Sequence, residues 1–318
     1  MANTVEKLLL AAPRGYCAGV DRAGQTVERA LDLHGPPVYV RKQIVHNKHV
    51  VELLAARGAV FVEDVSEVPE GALTVFSAHG VSPKVRSDAQ ARGLETIDAT
   101  CPLVTKVHRE ALHFAQDGYT IVLVGHAGHE EVQGTMGEAP EHILLVENEQ
   151  DVDELVVEDP ERVAYITQTT LSVDETTSIV KRLHERFPAI AGPRTDDICY
   201  ATTNRQIAVK QMAGDCDLML VIGSRNSSNS VRLVEVARDC GTEAYLIDHA
   251  GEVREEWLAG KRVVGVSSGA SAPDDLVQDL LGFFRARGIE DISEFHVVRE
   301  DVRFMLPKPI REAVAAAS

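Results

Sequence analysis

Cysteine is scarce in this sequence and odd in number: five in 318 residues, with no C-x-x-C pair. That excludes a disulfide framework and the usual closely spaced zinc ligands, and it fits reduced thiols in a reducing compartment. Long apolar runs are also missing. Stretches such as 218–222 and 121–124 fall far short of the about 20 residues that span a bilayer, so no membrane segment is expected. The short apolar run after Glu6 leads straight into a turn and reads as a first strand rather than a leader. The expected compartment is the cytoplasm. Positive charge is in deficit, with 32 Lys and Arg against 49 Asp and Glu, a net −17. Such a balance disfavours general affinity for nucleic acid and reads as solubility. No low-complexity linker interrupts the chain, so its parts should pack closely. With 44% hydrophobic and 25% charged residues, it can bury a full core and is not disordered.

What is present is a repeated design. KLLLAAPRGYCAG, ETIDATCPLVTK and RTDDICYATTNR each run a short strand-like segment into a turn that ends on a cysteine, followed by helical apolar spacing. Cys17, Cys101 and Cys199 therefore sit at expected helix starts, where backbone N–H groups and the helix dipole favour thiolate over thiol. A thiolate ligates metal or attacks carbon; a lone cysteine is as readily a small buried hydrophobe. Between these turns, short apolar runs alternate with amphipathic segments, as in parallel βα units. The cysteines are 84 and 98 residues apart, so each repeat is about the size of a small α/β domain. The expected fold is α/β with three similar domains: residues 1–98 carrying Cys17, 99–196 carrying Cys101 and 197–291 carrying Cys199. The tail, 292–318, is expected to pack back on the first domain, with VRFML as a strand and no helix of its own.

In open parallel sheets, ligands gather outside the carboxyl ends of strands, and here those loops are rich in His, Gly, Ser, Thr and Asn. They hold His46 and His79; then His129, Glu131, Gln168, Thr169 and Thr170; then Ser227, Ser228, Asn229 and Ser271. If the domains face one another, these loops share one cleft. A donor-rich lining without permanent charge suits phosphate oxygens, although each Ser or Thr beside Gly also serves as a turn or cap. A bound diphosphate would raise the pKa of neighbouring histidines. Glu131, read as a loop carboxyl, is a candidate proton donor. Glu63, Asp64, Glu67, Glu70 and the acidic residues of 147–154 read as solvated surface, and Cys216 and Cys240 as structural. Three separated thiolates do not resemble a zinc site. Iron–sulfur clusters take thiolates, normally four, and three would leave one iron of a 4Fe-4S cluster open to substrate. A cysteine or zinc hydrolase of a phosphorylated metabolite, and a phosphometabolite-binding protein with merely buried thiols, stay open on these residues alone.

The segments RGYCAGVDRA, HNKHVVE, SAHGVSP, DATCPLVTKVH, GHAGHEEVQGTMGE, TQTTLSVDET, ICYATTNRQ, SRNSSNS and GASAPD together closely resemble the LytB or IspH family of 4-hydroxy-3-methylbut-2-enyl diphosphate reductases, in register from about Leu8 to Pro273. The resemblance implies a trefoil-like arrangement with pseudo-threefold symmetry around a central 4Fe-4S cluster. It implies loss of an allylic hydroxyl with two electrons and protons, giving isopentenyl and dimethylallyl diphosphates at the end of the methylerythritol phosphate pathway. Carried over residue by residue, it makes Cys17, Cys101 and Cys199 the cluster ligands. It makes His46, His79, His129, Ser227, Ser228, Asn229 and Ser271 the diphosphate contacts, with Thr169 near the hydroxyl and Glu131 as proton source. The implied partner is an electron donor such as ferredoxin or flavodoxin, reduced via NADPH. One departure concerns Glu130, where the family often has proline; it adds charge beside the acid and bears on the stiffness of the loop.

Overall fold

Leu218–Ile222, LMLVI, is buried at every position, the pattern of a strand covered on both faces. The computed structural model describes residues 4–317. In chain order the elements are β1 (Lys7–Ala12), α1 (Ala18–His34), β2 (Val38–Arg41), α2 (Lys48–Ala56), β3 (Ala59–Val62), β4 (Leu73–Phe76), α3 (Pro83–Ala91), β5 (Glu95–Asp98), α4 (Pro102–Gln116), β6 (Thr120–Val124), α5 (Glu130–Met136) and β7 (Ile143–Val146). There follow α6 (Glu149–Glu154), β8 (Val163–Thr167), α7 (Val173–Arg186), α8 (Tyr200–Ala213), β9 (Leu218–Ile222), α9 (Ser228–Asp239), β10 (Glu243–Ile247), α10 (Glu255–Leu258), β11 (Val263–Ser268), α11 (Asp274–Arg285), β12 (Asp291–His296) and α12 (Lys308–Ala317). The named strands form three sheets, ordered β10-β9-β11-β1-β12, β3-β2-β4-β5 and β7-β6-β8. Their ladders are parallel throughout, as the βα alternation requires.

By compactness the described chain divides into two units, residues 4–18, 46–50 and 200–303 in one, and 19–45, 51–199 and 304–317 in the other. The first unit holds the five-stranded sheet. Leu8 and Leu10 of β1 cluster with Leu218, Leu220, Val264 and Val266 and with Leu276, Leu280 and Phe284 of α11. Alternate residues serve the other face: Met219 and Val221 pack with Val209 and Met212 of α8 and Leu233 and Val236 of α9, the period of two that a strand dictates. Each such fully buried side chain contributes about 1.5–3 kcal/mol. This apolar match explains why β1 pairs with β11 and β12 and not with the strands of residues 38–98. The strand that leads to Cys17 thus lies in the sheet of the third repeat, so residues 1–98 are not one sheet. At the ends of β9 and β11, a Cβ on Gly223 or Gly269 would collide with the Ser230 side chain. Glycine at both places lets the first turn of α9 close onto the strand ends.

The second unit holds the other two sheets. Ile121 and Leu123 of β6 pack with Val107 and Ala111 of α4 and Val132 of α5, while Val122 and Val124 face Ile179 and Leu183 of α7. Val62, Phe76, Val81, Ala89 and Leu94 form the core over the four-stranded sheet. The tail departs from the sequence reading. Its strand is β12, which pairs with β1 and lies about ten residues earlier in the chain than VRFML, and residues 308–317 form the helix α12 that the two prolines argued against. Pro309 lies in the first turn of that helix, where its missing N–H has no intrahelical partner to lose.

Candidate active site

All three cysteines occupy the residue immediately before a helix: Cys17 before α1, Cys101 before α4 and Cys199 before α8. Each is half-buried, and none is in a disulfide. Cys17 and Cys101 follow strands as expected; Cys199 follows an irregular loop, 192–198, with no strand of its own. Each cysteine amide donates to a loop that follows a strand and carries other candidate residues. Cys17 N donates to Ala270 O at 3.1 Å, Cys101 N to Ala78 O at 2.9 Å and Cys199 N to Thr169 O at 3.0 Å. A half-buried thiol at a helix start, outside any disulfide, has the chemistry of an iron-cluster ligand, and each of the three cysteines is of this kind.

In the first unit, those hydrogen bonds gather hydroxyls around the Cys17 turn. Asn229 Oδ1 accepts from Ala270 N at 2.8 Å, and its Nδ2 donates to Thr202 Oγ1 at 3.3 Å. Ser271 Oγ donates to His46 O at 2.9 Å and lies 3.4 Å from Ser227 Oγ. Ser227 is the N-cap of α9 and accepts from Ser230 N at 3.3 Å. His46, Ser227, Asn229 and Ser271 are all buried, while Ser228, in the first turn of α9, is half-buried. The structure thus brings together five residues that the sequence placed in three loops. A long helix starting on serine and asparagine presents N–H groups and a positive dipole end, an anion-binding arrangement.

The second unit collects the acid and two imidazoles. Glu131 is not in a loop: it lies in the first turn of α5, 2% exposed. Thr169 grips both of its oxygens, the amide donating to Oε1 at 2.7 Å and the hydroxyl to Oε2 at 3.0 Å. Burial outweighs those two bonds and, with the negative Asp197 nearby, pushes the Glu131 carboxyl up to about 7, the range a neutral-pH proton donor needs. His129 caps α5 by accepting from Glu131 N through Nδ1 at 3.3 Å, which assigns the proton of the neutral ring to Nε2. Its ring meets that of His79 edge-on at 6.0 Å. Burial, aided by Lys42, holds His79 down to about 4, so the ring is neutral at pH 7 before any anion arrives. Glu130 stands at the first position of α5 with its carboxylate 3.3 Å from His79 Nδ1. Its place in the first turn of α5 puts an acid at the favourable end of the helix dipole.

Four residues of this framework escaped the sequence reading. Arg22, Lys106 and Arg205 reach the cysteine turns from other elements, and Asp197 lies in the turn ahead of Cys199, where it meets Lys106; Arg205 and Asp197 are buried, and a charged residue whose partner is far away in sequence gives no local signal. Cys216 and Cys240 lie outside the three cysteine turns. Cys216 packs against the Ala11–Met219 core and burial pushes its thiol up to about 12; Cys240 ends α9.

Parallel sheets with thiols, imidazoles, hydroxyls and one buried acid at strand ends and helix starts place the chain among α/β enzymes that work at strand ends. It belongs to the LytB family: the family model described as LytB protein matches residues 8–285. A curated relative from Nocardia farcinica named 4-hydroxy-3-methylbut-2-enyl diphosphate reductase is 59% identical over 311 residues, covering 98% of this chain and 93% of its own length. One of the same name from Rhodococcus opacus is 58% identical over 313 residues, 98% of this chain and 93% of its own. A solved structure of the E-1-hydroxy-2-methyl-but-2-enyl-4-diphosphate reductase from Plasmodium falciparum superposes with a TM-score of 0.94 at 38% identity, covering 98% of this chain and 99% of that one. Another, titled as (E)-4-hydroxy-3-methyl-but-2-enyl diphosphate reductase, the terminal enzyme of the non-mevalonate pathway, gives 0.64 at 32% identity, with 89% and 100% coverage.

Proposed function

We propose that the chain reductively dehydroxylates 4-hydroxy-3-methylbut-2-enyl diphosphate to isopentenyl and dimethylallyl diphosphates, the last step of the methylerythritol phosphate pathway. The allylic C–O bond breaks, two electrons and two protons enter, one C–H bond forms and the oxygen leaves as water. The observation that carries this reading is a buried carboxyl poised near neutral pH and gripped by a threonine, in a chain of this family. Cys17, Cys101 and Cys199 hold a 4Fe-4S cluster, which when bound supplies the electrons and a Lewis-acidic iron. The chain's own residues do the rest. The start of α9, with Ser227, Ser228 and Asn229, together with Ser271, His46 and His79, binds the diphosphate. His129 donates through Nε2. Thr169 orients Glu131 and lies near the substrate hydroxyl, and Glu131 gives the proton that lets the oxygen depart as water. A carboxyl that is half-protonated at pH 7 both gives a proton and is reloaded from solvent without a large free-energy step.

The electrons come from a small reduced protein such as ferredoxin or flavodoxin, itself reduced via NADPH. No described helix is long and apolar enough to cross a membrane, and we place the work in the cytoplasm. The test is iron and sulfide content of protein purified without oxygen, followed by turnover with a chemical reductant. Brownish protein with about four irons per chain that consumes substrate supports the proposal; iron-free protein that releases phosphate would instead indicate the hydrolase reading.

A further inference from the structure

The carbonyls just ahead of each candidate ligand cysteine are held by a cation from the helix that follows a different cysteine. Arg22, on α1 after Cys17, donates through Nη1 to Ala99 O at 2.9 Å and Thr100 O at 3.0 Å, immediately before Cys101. Lys106, on α4 after Cys101, donates through Nζ to Thr195 O at 2.6 Å, Asp196 O at 3.2 Å and Asp197 Oδ1 at 2.8 Å, immediately before Ile198 and Cys199. Arg205, on α8 after Cys199, donates through Nη2 at 2.6 Å and Nε at 3.2 Å to Gly15 O, two residues before Cys17. The cations stand five, five and six residues after their own cysteines, so the same device recurs in all three repeats, and each contact lies inside one compact unit.

We infer that Arg22, Lys106 and Arg205 are positioning residues that fix the three cysteine turns for cluster binding, each serving the next cysteine and not its own. This deepens the reading given above and rests on it. The construction is expensive to keep unless it does something. The Arg205 side chain is fully buried, with its charge offset by Glu300 at 3.0 Å, and the Asp197 side chain that meets Lys106 is likewise fully buried. Buried ion pairs of this kind are weak sources of stability compared with apolar packing, and their best-attested use is to fix one arrangement. The turn ahead of Cys17 needs such fixing: Gly15 has φ +70°, a conformation that leaves its carbonyl outside any helix or strand ladder. Two guanidinium bonds to that single oxygen hold it. Asp197 extends the linkage, because its Oδ2 accepts from Thr167 N at 2.9 Å, two residues before the threonine that receives the Cys199 amide and grips Glu131.

The test is amide hydrogen exchange at each cysteine in the full-length chain, with and without iron, for Arg22→Gln, Lys106→Gln and Arg205→Gln. Losing the clamp should speed exchange about tenfold, what one or two hydrogen bonds are worth, at Cys101, Cys199 and Cys17 respectively, with the other two cysteines within about twofold. Iron should leave each variant to a chelator several-fold faster than wild type. The charge-keeping variants Arg22→Lys, Lys106→Arg and Arg205→Lys should recover most of the protection at the same cysteine, and they decide the matter should a Gln variant fail to fold. Faster exchange at the cysteine of the cation's own helix, equal change at all three, or no change at any would overturn the inference. The exchange pattern is read without turnover: if it appears in a chain that does not reduce the substrate, the functional proposal fails and the clamps stand.

Discussion

Glu131→Gln should make the protein slower and, above neutral pH, more stable. Glutamine keeps the shape of the carboxyl and both bonds to Thr169: its oxygen accepts from the amide and its NH2 donates to the hydroxyl. What it removes is the titrating proton and the buried negative charge. A carboxyl raised from 4.5 to about 7 by burial prefers the protonated form in the folded state. Its contribution is therefore neutral below the unfolded value of 4.5, grows more unfavourable between 4.5 and 7, and is fully unfavourable above 7. Each unit is worth 1.36 kcal/mol, so the full penalty is on the order of 3 kcal/mol. Urea unfolding of the two proteins in the same iron-free state should give coincident stabilities near pH 4.5 and a variant more stable by a few kcal/mol at pH 8. Turnover, with iron content matched and a chemical reductant in excess, should fall at least ~10²-fold, the low end of what a positioned acid contributes. Glu130→Gln is the control, since it changes the neighbouring charge and leaves the acid in place. Near-normal turnover of Glu131→Gln, slowing only in Glu130→Gln, or a stability difference that does not vary with pH would refute the reasoning.

Serine in place of Cys17, Cys101 or Cys199 should each abolish a full cluster, measured as iron per chain, while Cys216→Ser and Cys240→Ser keep it; iron loss in Cys216→Ser equal to that in Cys101→Ser would contradict the assignment. Because burial keeps His79 near 4 in the protein alone, diphosphate binding should draw a proton onto it at pH 7. Calorimetry in buffers of differing ionisation enthalpy should show fewer protons taken up by His79→Gln than by wild type, and equal uptake would remove His79 from the diphosphate site. The dephosphorylated alcohol should bind much more weakly than the substrate in the same calorimeter. Equal affinity would dismiss the roles given to His46, Ser227, Ser228, Asn229 and Ser271.

The parallel sheets and most helices were legible because apolar runs such as LMLVI and amphipathic runs such as DDLVQDLLGFFR carry their period locally. Partner choice between strands was not. β1 reads like the start of the first repeat, and only the three-dimensional match of Leu8 and Leu10 with Leu220 and Val266 assigns it to the last. Glu131 illustrates the same limit at the candidate site. GHAGHEE looks like a loop because two glycines precede it, yet His129 caps a helix that begins at Glu130, and the threonine that grips the Glu131 carboxyl lies 38 residues away, in the loop after β8. Arg22, Lys106 and Arg205 were invisible for a related reason, since each acts on carbonyls about 80 to 190 residues away.

The most direct measurement is the reaction itself, run without oxygen in D2O with iron-loaded protein, substrate and a chemical reductant, the products being identified by mass spectrometry. Isopentenyl and dimethylallyl diphosphates should both form, each with the diphosphate intact, the hydroxyl oxygen gone and one deuterium on carbon from the solvent-loaded acid. Release of phosphate with the hydroxyl retained, or no consumption of substrate by protein carrying a full cluster, would contradict the account.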